Sequence, residues 1–209
     1  FAVIFDSARK NFRNEIYSDY KANRSDAPDD LIPQFDFIRK SVLAFNLPSI
    51  EQINYEADDL IATYVDQINK LGAKTTIVSS DKDLLQLYGK NTRVFDPIKN
   101  KFLGMDDIKL KFGVKPEKII DVQSLAGDTS DNVPGVPGIG IKTASELINT
   151  FGSLEELLKN AHTIKQNKRR ETLLENKDKA IISKKLVTLK KDVPVKDKLE
   201  DFVLKNVDK

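Results

Sequence analysis

Cysteine is absent from the 209 residues. This excludes a disulfide framework and a thiolate zinc site, and it points to a reducing compartment. Histidine occurs once, at His162, so a His-rich metal centre is excluded and any metal must be held by oxygen, which suits Mg²⁺ or Mn²⁺ better than zinc or iron. No apolar run approaches the ~20 residues that cross a bilayer, and the first residues do not read as a signal peptide. A cytoplasmic protein is therefore expected. An initiating Met is also lacking: the chain opens on Phe1-Ala2-Val3-Ile4-Phe5, inside an apparent buried strand, as a fragment would.

What is present is a hydrophobic content of 40%, enough for a core spread over one or two domains. The net charge of +2 is unevenly placed, because residues 159–191 carry eleven Lys or Arg against three Asp or Glu. A basic face beside an acidic site suits a polyanionic substrate, although a solvated Lys-rich surface reads the same way.

The acids cluster at ends of elements. Glu56, Asp58 and Asp59 stand at the start of an amphipathic helix whose stripe is Leu60, Ile61, Tyr64, Val65, Ile68 and Leu71. Helix capping accounts for one or two acids there, not three. Asp6 closes the first strand, and Asp81 and Asp83 follow a second over residues 75–80. A strand–helix–strand order gathers such residues at one sheet edge. Asp128 and Asp131, three apart, follow a helix that begins near Pro116. Residues 31–47 read as a helix with Phe35, Ile38, Val42 and Phe45 on one side, residues 92–96 and 101–103 as a hairpin, and residues 169–190 as helical.

Two stretches point to nucleic acid. Residues 11–24 interleave aromatic and basic side chains, which suits stacked bases and phosphates, or else a half-exposed helix. Residues 133–144 form a Gly/Pro hairpin entering a helix whose first N–H groups can hold a phosphate. Eight carboxylates so close together would raise one another's pKa unless cations neutralised them. A pair of divalent ions in such a site supports in-line phosphodiester hydrolysis.

The ordered set FD, FR, YKANR, YEADD, SSDKD, GDTSDN and PGVPGIGIKTA resembles the 5′-nuclease domain of bacterial DNA polymerase I, in the flap endonuclease family. The resemblance implies an α/β fold with a central, mostly parallel sheet flanked by helices, of resolvase (PIN) type, over residues 1–104. A helical region with a helix-hairpin-helix unit is expected over 105–209. It implies a monomeric 5′→3′ exonuclease and flap endonuclease of the bacterial cytosol, acting on flapped, branched or RNA-primed DNA, with polymerase domains covalently linked. Two or more Mg²⁺ ions, replaceable by Mn²⁺, would be held by Asp6, Glu56, Asp58, Asp59, Asp81, Asp83, Asp128 and Asp131. Lys21, Asp59 and Asp128 are the implied catalytic residues. Arg13, Tyr20, Lys21 and Arg24 are the implied contacts to the 5′ strand, and Gly135, Gly138, Gly140, Lys142 and Thr143 those to duplex phosphates, with K⁺ at the hairpin.

The family's first strand and its aspartate have no counterpart in the sequence. Alternative readings are a stand-alone flap endonuclease, a non-catalytic DNA-junction module, and an aspartyl-phosphate hydrolase. The last wants an acid two residues after Asp6, where Ala8 stands.

Overall fold

The structure, a computed structural model, describes residues 1–204; residues 205–209 of the expected helical region lie outside the described residues. The chain runs β1 (Val3–Ile4), α1 (Arg13–Ile16), α2 (Ile32–Ala44), β2 (Ser49–Ile50), α3 (Ala57–Lys70), β3 (Thr75–Val78), β4 (Thr92–Asp96) and β5 (Lys101–Leu103). Helices follow: α4 (Met105–Phe112), α5 (Ile119–Ala126), α6 (Ile141–Phe151), α7 (Leu154–Lys159), α8 (Asn167–Glu175) and α9 (Lys177–Val187).

The single central sheet expected from the sequence is two sheets. β1 and β2 pair in parallel through Val3↔Ser49 and Ile4↔Ile50, while β3, β4 and β5 form a second sheet, parallel then antiparallel. β1 is shorter than its apolar run suggests because its partner is short: β2 offers two residues, and the preceding Pro48 contributes only a carbonyl, which accepts from Val3 N–H at 2.9 Å. Within the second sheet the β4–β5 turn is set by the Asp96 carboxylate, which accepts from the N–H groups of Ile98 and Lys99 at 3.0 Å each.

α5 is the centre of the core. Its Ile119, Val122 and Leu125 are fully buried and pack with Leu84, Ile108, Ile148 and Leu173. Each such side chain contributes about 1.5–3 kcal/mol over leaving it in water. This core crosses the boundary expected near residue 104, since Val94 and Leu103 belong to it with Ile148 and Leu173. The expected helix over 169–190 is two, α8 and α9, broken at Asn176. On the apolar side of α2, Phe35, Ile38 and Phe45 are exposed.

A close backbone crossing fixes the loop after α5. Gly135 has φ +58°, and a Cβ there would stand 2.5 Å from Gly127 N and 2.7 Å from the Ala126 carbonyl carbon. Backbone cannot move aside as a flexible side chain can. Gly135→Ala is expected to lose about 2–4 kcal/mol in urea unfolding. Gly138, with φ +74° but nothing within 4 Å of its Cβ position, is expected to lose only about 1 kcal/mol. Equal losses would contradict the crossing.

Candidate active site

Four segments deliver carboxylates to one cavity of about 110 Å³, lined by Asp6, Glu56, Asp58, Asp81, Asp83, Asp128 and Asp131. Asp6 follows β1 and its Oδ1 accepts from Ala57 N–H at 2.7 Å, so it also caps the start of α3. Glu56 is the N-cap residue of α3 and Asp58 lies in its first turn. The turn after β3 orders the third pair: Ser79 Oγ accepts from Asp81 N–H at 3.0 Å, and Asp81 Oδ1 from Asp83 N–H at 2.9 Å. Gln123 of α5 adds a 2.6 Å bond to Asp83 Oδ1. The fourth pair sits in the loop closed by Asp128 and Val133, which exchange backbone bonds of 3.0 and 2.8 Å, and Ser130 N–H donates to Asp128 Oδ1 at 2.8 Å.

Cations from the segment after β1 face these acids. Lys21, in the left-handed region at φ 55°, donates its N–H to Asp131 O at 2.9 Å. Its ammonium pairs with Glu56 and lies 3.6 Å from Asp131. Arg24 also pairs with Asp131.

The electrostatics show what the cavity wants. Asp58 is pushed up to about 8 by burial first, then by the negative charges of Asp81, Glu56, Asp6 and Asp83. Burial, with Asp81 adding to it, also raises Asp83. Burial acts on Asp128 in the same direction, but the hydrogen bonds from Lys82 and Ser130 outweigh it and hold its carboxyl below the usual range. A pocket that drives one of its own acids to accept a proton near neutrality is one in which a cation would be strongly stabilised.

Four of the expected site residues are engaged in contacts within the protein: Arg13 and Tyr20 line the cavity, whereas Asp59 and Gly135 do not. Asp59 is fully buried on the far side of α3's first turn. Its oxygens accept from Arg13 Nη1 and Nη2 at 2.6 and 2.7 Å, from Lys190 N–H at 2.9 Å and from Glu56 N–H at 3.2 Å, so no lone pair is left for a metal. Arg13 is committed to Asp59: its side chain is 1% exposed, and its Nε donates to Leu186 O at 2.8 Å. Tyr20 is buried against Val133, Leu186 and Val187, and its hydroxyl lies 3.2 Å from Glu56 Oε2. Gly135 is buried and its N–H is taken by Ser183 Oγ at 2.9 Å. Gly138, Gly140 and Lys142 are exposed and Thr143 half-buried, around the start of α6.

Sequence reasoning missed two members of the site. Lys82 pairs with Asp128 and lies 4.0 Å from Asp83; its place between Asp81 and Asp83 was the available signal. Asn11, buried, donates to Glu56 Oε1 at 2.9 Å, and nothing in its sequence context marks it. Among the described residues, no three acids are grouped so as to hold a metal ion as they stand.

Comparison with known proteins agrees with this architecture. The family profile "5′-3′ exonuclease, N-terminal resolvase-like domain" matches residues 1–113, and "5′-3′ exonuclease, C-terminal SAM fold" matches residues 114–209. The chain is 54% identical over 203 residues to a DNA polymerase I of Rhizobium leguminosarum, covering 97% of this chain and 20% of that protein. It is 41% identical over 214 residues to a 5′-3′ exonuclease of Buchnera aphidicola, covering 97% of this chain and 73% of that protein. Among solved structures, the flap endonuclease of bacteriophage T5, a pseudo-enzyme-product complex with DNA and metal ions, matches with a TM-score of 0.79. That match covers 90% of this chain and 73% of the other at 24% identity, a likeness of fold. With a resolvase-like half followed by a SAM-like half, and this kinship to stand-alone exonucleases and to DNA polymerase I, the chain belongs to the 5′-3′ exonuclease family.

Proposed function

We propose that the protein hydrolyses phosphodiesters of 5′-flapped, branched or RNA-primed DNA as a Mg²⁺-dependent 5′→3′ exonuclease and flap endonuclease. The observation that carries this reading is the convergence of seven carboxylates from four segments on one cavity, with Lys21 and Arg24 facing them. The donor set fits a hard divalent ion: every candidate ligand is a carboxylate oxygen, and the raised Asp58 pKa marks a local demand for positive charge. Asp6, Glu56, Asp58, Asp81, Asp83, Asp128 and Asp131 are the residues that would hold Mg²⁺ or Mn²⁺. Such ions, when bound, polarise the reacting phosphate and offset the charge of the transition state.

The chain's own groups prepare that chemistry. Tyr20 and Asn11 hold the Glu56 carboxylate from two sides, so its direction is set before substrate arrives. Asp58 must give up its proton to act as a ligand, which the entering positive charge favours. Lys21, held by its backbone bond to Asp131, carries an ammonium that can move from Glu56 to a phosphate oxygen at the cavity mouth. The exposed hairpin at Gly138, Gly140, Lys142 and Thr143 is the proposed grip on duplex phosphates, with K⁺ there. A cytosolic monomer is part of the same proposal; the polymerase relative supports covalent linkage to polymerase domains, and the exonuclease relative supports the stand-alone alternative.

Lys21→Ala is expected to lower kcat about 10- to 100-fold while changing DNA Kd less than about 3-fold, because its charge acts on the reacting phosphate. Equal losses in both would place Lys21 in binding only. The reading as a whole is tested with a 5′-labelled flap duplex and Mg²⁺. Cleavage that disappears with chelator is expected, and a protein that binds the flap yet never cuts it with Mg²⁺ or Mn²⁺ would sink the proposal.

A further inference from the structure

Two lysines, Lys21 lining the acid cavity and Lys82 beside it, each have their ammonium near two carboxylates that line it. Lys21 lies between Glu56 and Asp131. Lys82 lies between Asp83, in the turn after β3, and Asp128, in the loop after α5. Both acids of the second pair line the cavity, and both keep another anchor if the ammonium leaves. Gln123 holds Asp83 Oδ1 at 2.6 Å, and Ser130 N–H holds Asp128 Oδ1 at 2.8 Å, whereas Lys82 takes Asp128 Oδ2. Departure of Lys82 therefore frees an oxygen without releasing its carboxylate.

We propose that Lys82 is a tethered counter-cation of the acid pocket, held on Asp128 and displaced from it by an entering divalent cation. This rests on the reading of the pocket as a divalent-metal site. An ammonium and a dication cannot share the same carboxylate oxygens without strong repulsion in a partly desolvated pocket. Lys82 therefore lowers divalent affinity while it occupies an Asp128 oxygen. Its side chain, 32% exposed, has room to swing outward, where Ser79, Ser80 and Lys111 border a shallow recess beside Asp81. The freed ammonium then stands at the pocket's rim, available to a phosphate oxygen. Divalent loading and the presentation of a phosphate-binding charge are thereby linked through one side chain.

The test is titration of Mn²⁺ alone, followed by the loss of its free-ion electron paramagnetic resonance signal, into the wild-type protein and its variants. Lys82→Gln is expected to tighten Mn²⁺ binding about 3- to 30-fold, from removal of one competing charge. Lys82→Met, close in shape and also neutral, is expected to do the same and serves if the Gln variant folds poorly. Lys82→Arg, which keeps the charge, is expected to stay within about 3-fold of wild type. In an Asp128→Asn background the gain from Lys82→Gln should vanish, because the contested oxygen pair is gone. Unchanged or weaker binding in both neutral variants, with Asp128→Asn still weakening the wild-type site, would overturn the counter-cation while leaving the metal site standing. Binding that ignores Asp128→Asn and Asp58→Asn alike would overturn both.

Discussion

Asp58→Asn is expected to reduce flap cleavage about 1,000-fold, equivalent to ~4 kcal/mol of transition-state stabilisation, while making the protein without divalent ions more stable in alkali. The two effects have one cause. Asp58 sits among Asp81, Glu56, Asp6 and Asp83 in a partly desolvated cavity, so its negative charge is useful only when a cation shares the site. Its pKa of about 8 in the folded state lies above its ordinary value of 3.8. Without divalent ions the folded chain thus holds a proton that the unfolded chain releases between those values. Stability from this source is fully present below about pH 4 and is lost as pH rises through about 8. Asn carries no proton to lose. Between pH 5 and pH 9 the wild type is expected to lose on the order of 2 kcal/mol more than Asp58→Asn, less than the full shift implies because the side chain is partly solvated. Urea unfolding with chelator at both pH values checks this, and parallel pH profiles would contradict it.

Arg13→Ala is the largest stability loss expected, about 3–5 kcal/mol. The guanidinium binds Asp59 with two bonds and donates to the carbonyls of Leu186 and Thr188, at 2.8 and 3.2 Å, so it joins α1, α3 and the end of α9. Its removal leaves Asp59, fully buried, with an uncompensated charge. Arg13→Lys is not expected to rescue, because one ammonium cannot supply the fork that meets both Asp59 oxygens and two carbonyls. Unfolding midpoints of the two variants give the measurement, and a loss below about 1 kcal/mol for Arg13→Ala would show the pair to be solvated.

The acids that reach the cavity were legible because each stands just beyond the end of a strand or helix or at the start of a helix, and those points are marked by local pattern. Asp58 and Asp59 show where local pattern ends. They are adjacent, chemically identical and about 100° apart around α3. What turns Asp59 inward is Arg13, 46 positions away along the chain, a partner that no periodicity reveals. The same holds for residues 11–24. Their mixture of aromatic and basic groups fits a nucleic-acid surface, yet Tyr20 packs on Leu186 and Val187 of α9. Composition carries no sign of which surface a side chain finds. In the second half, Leu173 and Leu186 read as one periodic stripe, and the break at Asn176 leaves no mark in that pattern. The hairpin glycines were legible as a group but not one by one, since Gly135 serves the crossing with Gly127 and only Gly138 and Gly140 stay exposed.

The separation of the two neighbouring aspartates into a reacting residue and a structural one is the sharpest consequence of the account. Flap cleavage per folded molecule, measured side by side for Asp58→Asn and Asp59→Asn with the folded fraction fixed by circular dichroism, tests it most directly. Asp58→Asn should be folded and about 1,000-fold slower, whereas Asp59→Asn should be less stable by about 3 kcal/mol and, per folded molecule, within about 10-fold of wild type. Equal loss of cleavage in the two variants, with no loss of stability in Asp59→Asn, would contradict the account.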